Sequence, residues 1–298
     1  MRICSFLPSA TEVICELGFL DSLVGVSEEC RWPSDVIGKP VVTAARIDPS
    51  SLSSLEIDAA VRSSLRDGRS LYAVDAELID ALRPDLIVTQ DLCAVCAVSS
   101  GELASACPVE ADVVSLDPHT FGDVADSVRL LARKLGAVQR GEEVASRMLD
   151  TTQEVASAVK GLPRPRVFFA EWIEPPFCAG HWLPEMIEQA GGNEVLGRSG
   201  QPSFSTSWET VFALEPDLIV VGPCGFDATA AAARAEGIEW PCPAVAVDGD
   251  GYYSRPAPRL AEGVRQLAHL FHPDAVPGPG LHEIPLTADV RRAVRSGA

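Results

Sequence analysis

Four of the nine cysteines in this sequence stand in loops where thiolates could bind a metal. They are Cys30, Cys93, Cys96 and Cys224, and the middle two form a Cys-x-x-Cys pair. Four thiolates make a complete ligand set for tetrahedral zinc or for a four-iron cluster. We predict that these four cysteines ligate one metal centre, with an iron–sulfur cluster of the 4Fe-4S type favoured over zinc.

Other roles for the cysteines stay open. Free cysteine is among the most frequently buried residue types, and packing is the role that we expect for the cysteines in apolar settings. Those are Cys4, Cys15, Cys107 and Cys242. Cys93 and Cys96 could instead form a redox dithiol, although no thioredoxin-like pattern surrounds them. Cys178 lies in another loop and could replace any one of the four ligands.

A weak internal duplication predicts where these loops lie. The segment LRPDLIV at 82–88 reappears as LEPDLIV at 214–220, and a cysteine loop follows each copy. A short apolar run after proline is typical of a buried parallel strand. Because ligands bind beyond the carboxyl ends of parallel strands, these loops should gather at one edge of each sheet.

Strands alternating with helices predict an α/β fold with two Rossmann-like lobes, joined by a helical linker. Apolar residues at helical spacing, such as Val124, Val128, Leu131 and Leu135, predict helix throughout residues 120–160. We therefore expect an N-terminal lobe at 1–118, a linker at 119–162, a C-terminal lobe at 163–274 and a loosely attached tail at 275–298.

The strand-end loops also carry side chains that suit a bulky planar ligand. We expect these residues to face a cleft between the lobes and to contact the metallocofactor or small molecule held there. They are Trp32, Asp91, Trp172, Phe177, Cys178, His181, Trp182, Tyr252, Tyr253 and Arg255.

Composition excludes several classes of partner. The formal net charge is −18, which argues against nucleic acid and against anionic membrane surfaces, because both require a basic face. No apolar run approaches the roughly 18 residues that a membrane span needs. No secretory signal is visible at the start, and we therefore expect a cytoplasmic location, where thiols stay reduced.

Several stretches resemble the helical-backbone substrate-binding proteins that capture cobalamin, haem and ferric siderophores. They are LPSATE at 7–12, VGVS at 24–27, the two PDLIV strands and PPFxAG at 175–180. The likeness spans about residues 1–272 and is greatest for the cobalamin-binding branch. It implies the class III periplasmic-binding-protein fold, with a single linking helix and a ligand held between two lobes.

The cysteines depart from the exported members of that family. They resemble a cytoplasmic subgroup, in which Ser-His-Glu-Cys would stand where this chain has Ser27-Glu28-Glu29-Cys30. This departure weighs against partnership with a membrane importer. We expect a cytoplasmic protein that holds an iron–sulfur cluster or a corrinoid in the cleft. An iron–sulfur enzyme with an open cluster site and a structural zinc protein are the alternatives, so the sequence leaves catalysis undecided.

Replacing the predicted ligands by serine tests the metal centre. Each of Cys30→Ser, Cys93→Ser, Cys96→Ser and Cys224→Ser should lower the iron and sulfide content of protein purified without oxygen, because serine is a poor ligand for iron. The control is Cys242→Ser, which should leave the metal content unchanged. If all four variants keep the wild-type content, or the wild-type protein contains no metal, the cysteines serve packing alone.

Overall fold

The described part of the chain forms two α/β lobes, as the sequence predicts. The computed structural model describes residues 1–67, 70–91, 98–101, 103 and 110–288. The first lobe comprises Met1–Pro118 and Asp126–Val144, and the second comprises His119–Ala125 and Ala145–Ala298. The two-lobed α/β architecture is confirmed, whereas the domain bounds expected from sequence stay predictions.

A parallel sheet forms the centre of the first lobe. The strands of this lobe are β1 (Ile3–Ser5), β2 (Leu23–Val26), β3 (Thr43–Ala45), β4 (Tyr72–Val74), β5 (Leu86–Thr89) and β6 (Asp112–Ser115). Four of them pair in the order β2-β1-β5-β6, all parallel. β3 and β4 form a separate antiparallel pair. Cys4 is fully buried in β1, in keeping with the packing role predicted for it.

Helices in the first lobe connect these strands. They are Pro8–Glu16, Ser54–Arg66 and Ala76–Leu82, with short 3-10 turns at Leu20–Ser22, Ser34–Val36 and Pro49–Ser51. The second helix starts at a capping box, in which the Ser53 hydroxyl accepts a hydrogen bond from the Glu56 amide at 3.3 Å and the Glu56 carboxylate accepts one from the Ser53 amide at 2.8 Å. Such reciprocal bonds satisfy two amides that the helix leaves without partners.

A five-stranded sheet forms the centre of the second lobe. The strands of this lobe, including two outside the sheet, are β7 (Arg166–Ala170), β8 (Trp172–Ile173), β9 (Pro176–Phe177), β10 (Asn193–Glu194), β11 (Leu218–Val221), β12 (Ala244–Val247) and β13 (Glu283–Pro285). The sheet order is β10-β7-β11-β12-β13, and only β13 runs antiparallel among these. β8 and β9 form a small hairpin. Part of the predicted loose tail is therefore a strand of the sheet, since β13 bonds to β12.

Further helices belong to the second lobe, and three of them begin at a side-chain cap. They are Leu183–Gln189, Trp208–Ala213, Ala228–Arg234, Gly249–Tyr252 and Leu260–Phe271. Ser207, Asp227 and Asp248 each accept a hydrogen bond from an amide in the first turn of the helix that follows. These caps fix where each helix leaves its strand-end loop.

Residues 121–158 form two helices, Phe121–Leu135 and Val138–Ala158, rather than the single helix implied by the resemblance. Gly136 separates them with φ +71°, a left-handed conformation that costs glycine little and commonly ends a helix. The chain bends at this residue although the apolar periodicity continues through it, which is why periodicity alone predicted unbroken helix. Among the described residues, no helix is both long enough and apolar enough to cross a bilayer.

The duplicated LxPDLIV segments serve the same structural purpose in both lobes. Asp85 accepts a hydrogen bond from the backbone amide of Arg2 at 2.6 Å, and Asp217 accepts one from the backbone amide of Arg166 at 2.7 Å. The Arg2 side chain also donates to the Leu82 carbonyl, and the Arg166 side chain donates to the Leu214 carbonyl. Each of these carbonyls lies at the end of the helix that comes just before the PDLIV strand. The aspartate of each repeat therefore aligns its own strand with the neighbouring first strand of the lobe.

The helices Phe121–Leu135 and Val138–Ala158 approach each other very closely at Gly141, within the first lobe. A Cβ added to Gly141 would lie 2.1 Å from the Cβ of Ala132, which is far inside van der Waals contact. Gly141 and Ala132 are both buried. Only glycine at position 141 lets the two helix backbones approach this closely.

Gly141→Ala should therefore destabilise the protein, because the new methyl group forces the helices apart. We expect a loss of about 1–3 kcal/mol in the free energy of unfolding, measured in urea. Gly122→Ala is the matched control: it lies on a helix, and its added Cβ would meet only the Thr120 hydroxyl, at 3.7 Å. The control should be neutral or stabilising by up to ~1 kcal/mol. Equal effects at both positions would contradict this account.

Candidate functional site

Within each lobe, parallel pairing brings the candidate residues to the carboxyl edge of the sheet. In the first lobe, Cys30 and Trp32 follow β2, and Asp91 follows β5. In the second lobe, the candidate residues follow β7, β11 and β12. The structure thus places the described candidates after strands in each lobe, while their contact with a ligand and the cleft between the lobes stay predictions.

Cys30 is a buried thiol in the first lobe, with 6% of its surface exposed. Its Sγ lies 3.1 Å from the Thr11 hydroxyl on the helix Pro8–Glu16. The backbone amide of Cys30 donates to the Ser27 carbonyl at 2.9 Å, which closes a tight turn after β2. The thiol is therefore held in place before any ligand binds. Trp32, two residues further on, is 48% exposed.

Glu28 contributes an orphaned oxygen to the same turn. Its Oε1 is buried and makes no hydrogen bond to any residue that the structure describes. Burial raises the pKa of the Glu28 carboxyl, and the nearby charge of Glu29 raises it further. A buried oxygen without a partner is costly, so this carboxylate is a candidate to meet a cation, a proton or a ligand donor. The sequence drew attention to this position only as a departure from the family pattern.

Asp91 is exposed and holds the start of the loop that follows β5. Its carboxylate accepts hydrogen bonds from the Ser100 amide at 2.8 Å and from the Ser100 hydroxyl at 2.9 Å. Burial raises the pKa of Asp91, but the hydrogen bonds from Ser100 outweigh it, and the net pKa is lowered. Asp91 is therefore ionised near neutral pH. Cys93 and Cys96 lie outside the described residues.

A short segment at 178–182 forms the centre of the second lobe's site and is fixed by its backbone. The Cys178 amide donates to the Phe204 carbonyl at 3.1 Å, and the Gly180 amide donates to the Glu171 carboxylate at 2.6 Å. A Cβ on Gly180 would lie 2.3 Å from the Ser203 nitrogen, so the two backbones are in direct contact. We call residues 178–182 the fixed loop.

His181 presents its imidazole from this fixed loop with φ +51°, in the left-handed region. Its amide donates to the Gln201 carbonyl at 2.7 Å, and its carbonyl accepts from the Gly200 amide at 2.9 Å. Burial lowers the pKa of His181, and the adjacent His119 lowers it further. The imidazole is therefore neutral at pH 7 and able to accept a hydrogen bond or bind a metal.

Three other candidates of the second lobe are buried in its interior. Cys178 and Tyr253 have no exposed surface, and Trp182 is 6% exposed. Trp182 Nε1 donates to the Tyr253 carbonyl at 2.8 Å, and the Tyr253 hydroxyl donates to Gln266 Oε1 at 2.7 Å. Burial raises the pKa of the Cys178 thiol to about 11, so the thiol is protonated at neutral pH. The geometry assigns these residues to packing behind the edge, and their contact with a ligand stays a prediction.

The charged candidate Arg255 is already neutralised. Its guanidinium makes two bonds of 2.8 Å to Asp250, and its side chain is 11% exposed. The neighbouring Tyr252 is half-buried, and the Arg259 guanidinium lies 5.3 Å from its ring centre. Arg255 would have to leave Asp250 in order to bind an anionic group.

Trp172 belongs to an aromatic stack at the carboxyl edge of β7 and β11. Its ring centre lies 5.7 Å from that of Phe226, and the Arg234 guanidinium lies 4.1 Å from the Phe226 ring centre. Phe177 pairs with Trp172 across the β8–β9 hairpin and is half-buried. The exposed Cys224 lies beside this stack, and its amide donates to the Glu171 carbonyl at 3.1 Å.

No preformed metal cluster is present among the residues that the structure describes. Within those ranges, no three or more histidine, cysteine, aspartate or glutamate side chains are grouped so that they could hold a metal ion. The predicted four-cysteine centre includes Cys93 and Cys96, which fall outside those ranges, so ligation by the four cysteines stays a prediction.

Glu194 is a site carboxylate that the sequence analysis missed. It accepts backbone hydrogen bonds from Phe169 at 3.3 Å, Leu196 at 3.1 Å and Gly197 at 3.0 Å. Gly197 in turn packs on Ala179 of the fixed loop, because a Cβ there would lie 2.1 Å from the Ala179 carbonyl oxygen. Burial raises the pKa of Glu194 to about 7. A lone glutamate in a Gly-Gly-Asn-Glu stretch carried no sequence signal for this arrangement.

Comparisons with known proteins point to one family. A family model described as periplasmic binding protein matches residues 3–239. The vitamin B12-binding protein of Vibrio cholerae is 24% identical over 283 residues, which covers 89% of this chain and 87% of that protein. The cobalamin-binding protein of Halobacterium salinarum is 23% identical over 287 residues, covering 91% and 69% respectively.

Solved structures share the fold at low identity. The periplasmic vitamin B12-binding protein of Vibrio cholerae has a TM-score of 0.63 and 22% identity, and the match covers 90% of this chain and 94% of that one. A periplasmic heme-binding protein of Pseudomonas aeruginosa has a TM-score of 0.64 and 20% identity, covering 97% and 96%. At these identities the likeness shows the fold alone.

Glu194 predicts a pH dependence of stability. Its folded pKa of about 7 lies above its ordinary value of 4.5, so its favourable contribution is complete below about pH 4.5 and is lost as the pH rises through 7. The stability difference between wild type and Glu194→Gln should therefore move against wild type by up to ~3 kcal/mol over that range. Urea unfolding at several pH values measures the difference. A difference that is constant between pH 4.5 and 7.5 would contradict the prediction.

Proposed function

Because the chain belongs to the periplasmic binding protein family, we propose that it binds a corrinoid of the cobalamin type. The match to this family confirms the family that the sequence motifs predicted. The relatives named above bind vitamin B12 or cobalamin. The ligand contacts that we propose lie at the carboxyl edges of the sheets. Importer partnership and the cytoplasmic location stay predictions.

The observation that carries the proposal is the aromatic stack of the second lobe. Trp172 and Phe226 are half-buried, so each keeps part of its ring at the surface of the carboxyl edge. The Arg234 guanidinium lies over the Phe226 ring, 4.1 Å from its centre, and the Trp172 ring centre lies 5.7 Å from that of Phe226. A large ring system with apolar edges can bury surface against such an aromatic side chain.

The fixed loop supports binding because it needs little ordering. Backbone hydrogen bonds hold Cys178 and His181, and close backbone contact holds Gly180. Ordering a loop on binding costs affinity, so a loop that is fixed in advance preserves it. His181 adds a neutral imidazole that can bond to a ligand amide or to a metal.

Charge favours a corrinoid over haem as the ligand. Haem carries two carboxylates, whereas the corrin ring carries neutral amides. The net charge of the chain is −18, and Arg255 is neutralised by Asp250. An anionic ligand would therefore meet repulsion and would have to break an ion pair. A heme-binding protein shares the fold, so haem is the proper competitor in a binding test.

Trp172→Ala should weaken binding of cyanocobalamin at least about tenfold, because truncating an aromatic anchor typically costs more than 1.4 kcal/mol. The measurement is a calorimetric titration of the full chain with cyanocobalamin, and then with haem. Trp240→Ala is the matched control, since this half-buried tryptophan precedes β12 and so lies away from the carboxyl edge.

Three outcomes decide the proposal. Tight cyanocobalamin binding that is lost in Trp172→Ala and kept in Trp240→Ala supports it. Tighter binding of haem than of cyanocobalamin contradicts the choice of ligand. Binding of neither compound by the wild-type chain contradicts the proposed function itself.

A metal centre on the strand-end cysteines is the second candidate function. It is favoured by the buried Cys30 thiol, which is already positioned against Thr11, and by the orphaned Glu28 oxygen two residues away. Soft thiolates select zinc or iron–sulfur clusters, so the donor set fits such a centre. When bound, the metal would supply either structural cross-linking or an open coordination site. The serine variants described above test this candidate independently of corrinoid binding.

A further inference from the structure

Two histidines of the second lobe lie side by side. The ring centres of His119 and His181 are 5.9 Å apart, with the ring planes inclined by 47°. His119 stands just before the helix Phe121–Leu135, and His181 belongs to the fixed loop. They are 62 residues apart in the chain, so the fold and not local sequence brings them together.

The residues that the structure describes do not use the ring nitrogens of this pair. In the described part of the chain, no hydrogen bond involves a ring nitrogen of His119 or His181. The other histidines differ, because His269 and His272 each contact a backbone carbonyl through a ring nitrogen, at 2.8 Å and 3.3 Å. The remaining one, His282, is exposed. A pair of adjacent imidazoles with free nitrogens is available to an external ligand.

Both imidazoles are positioned by their backbones. The His181 backbone is bonded on both sides, to Gln201 and Gly200. The His119 amide donates to the Asp123 carboxylate at 3.0 Å, and this carboxylate also accepts from the Thr120 amide at 2.9 Å. Because the anchors are main-chain bonds, they do not occupy the ring nitrogens, and the His181 ring also packs against Trp182, with the ring centres 5.7 Å apart.

We propose that His119 and His181 form a two-imidazole site for a divalent transition-metal ion such as Co²⁺, Ni²⁺ or Zn²⁺. A metal–nitrogen bond of about 2.0–2.1 Å places the metal roughly 3.2 Å from each ring centre. Two rings on one metal can therefore have centres up to about 6.4 Å apart, and the observed separation of 5.9 Å falls within that span. Neutral imidazole is the form that binds a metal ion.

Water or a small chelating molecule completes the coordination. On the helix Leu183–Gln189, the Glu185 carboxylate accepts hydrogen bonds from the Phe121 amide at 2.8 Å and the Ser199 hydroxyl at 2.5 Å. Asp123 is likewise occupied by backbone amides. The site therefore supplies two donors and leaves the other positions open, unlike a closed structural zinc site. It shares no ligand with the predicted cysteine centre.

Titration of the tag-free full chain with Co²⁺ alone tests this site. We expect one Co²⁺ per chain, with weak visible bands and without the intense near-ultraviolet absorption that thiolate ligands add. His119→Asn and His181→Asn should each raise the Kd at least about tenfold. Asparagine suits position 181 because it adopts the left-handed conformation that His181 has, with φ +51°. His282→Asn is the matched control and should not change the Kd.

The result can overturn the proposal in two ways. Wild-type protein that binds no Co²⁺ contradicts it. So does a site with thiolate absorption whose Kd is the same in both pair variants, because the cysteines then hold the metal. Circular dichroism of each variant confirms that a loss of binding is not a loss of folding. Cyanocobalamin titration is a separate measurement, so failure of the corrinoid proposal leaves this result unaffected.

Discussion

The hydrogen bond that the backbone amide of an arginine donates to an aspartate carboxylate sets the geometry of both lobes. Asp85 bonds to Arg2 and Asp217 bonds to Arg166, in each case where the first strand of the lobe begins. These bonds fix the register between β1 and β5 and between β7 and β11. Short parallel strands have few ladder bonds of their own, so a side-chain bond at the amino edge matters. The side chains of β5 and β11 depend on this alignment, since a shift of one residue would move each of them to the opposite face of its sheet.

At the carboxyl edge of the second lobe, backbone amides position the segments that carry the site, through bonds to carbonyls and to the Glu171 and Glu194 carboxylates. Main-chain bonds hold the fixed loop, and Glu194 holds the segment that packs on it. Buried donors thus find partners within the protein, and the outward groups keep their capacity to bind. The charged side chain of Arg255, in contrast, is already paired with Asp250. This edge therefore offers aromatic surface and neutral imidazole to a ligand more readily than free charge.

Much of the fold could be predicted from sequence because its strands are short, apolar and followed by cysteine loops. The duplicated PDLIV runs became β5 and β11. The break at Gly136 was missed, since periodicity continues across a single left-handed residue. The interior placement of Tyr253 and Cys178 was missed because a strand-end position does not say which way a side chain turns. Glu194 and the His119–His181 pair depend on contacts between distant residues, which no local pattern encodes.

The first lobe is built from two separate stretches of the chain, and this affects how the protein folds as it is synthesised. This lobe includes Asp126–Val144, which follow seven residues assigned to the second lobe. Within it, Lys134 pairs with Asp112 at 2.7 Å, and Arg140 bonds to the Glu16 carbonyl at 3.2 Å. The first 118 residues therefore leave the ribosome without the helices that complete their lobe. The first lobe is therefore complete only once residue 144 has emerged, when part of the second lobe has already been made.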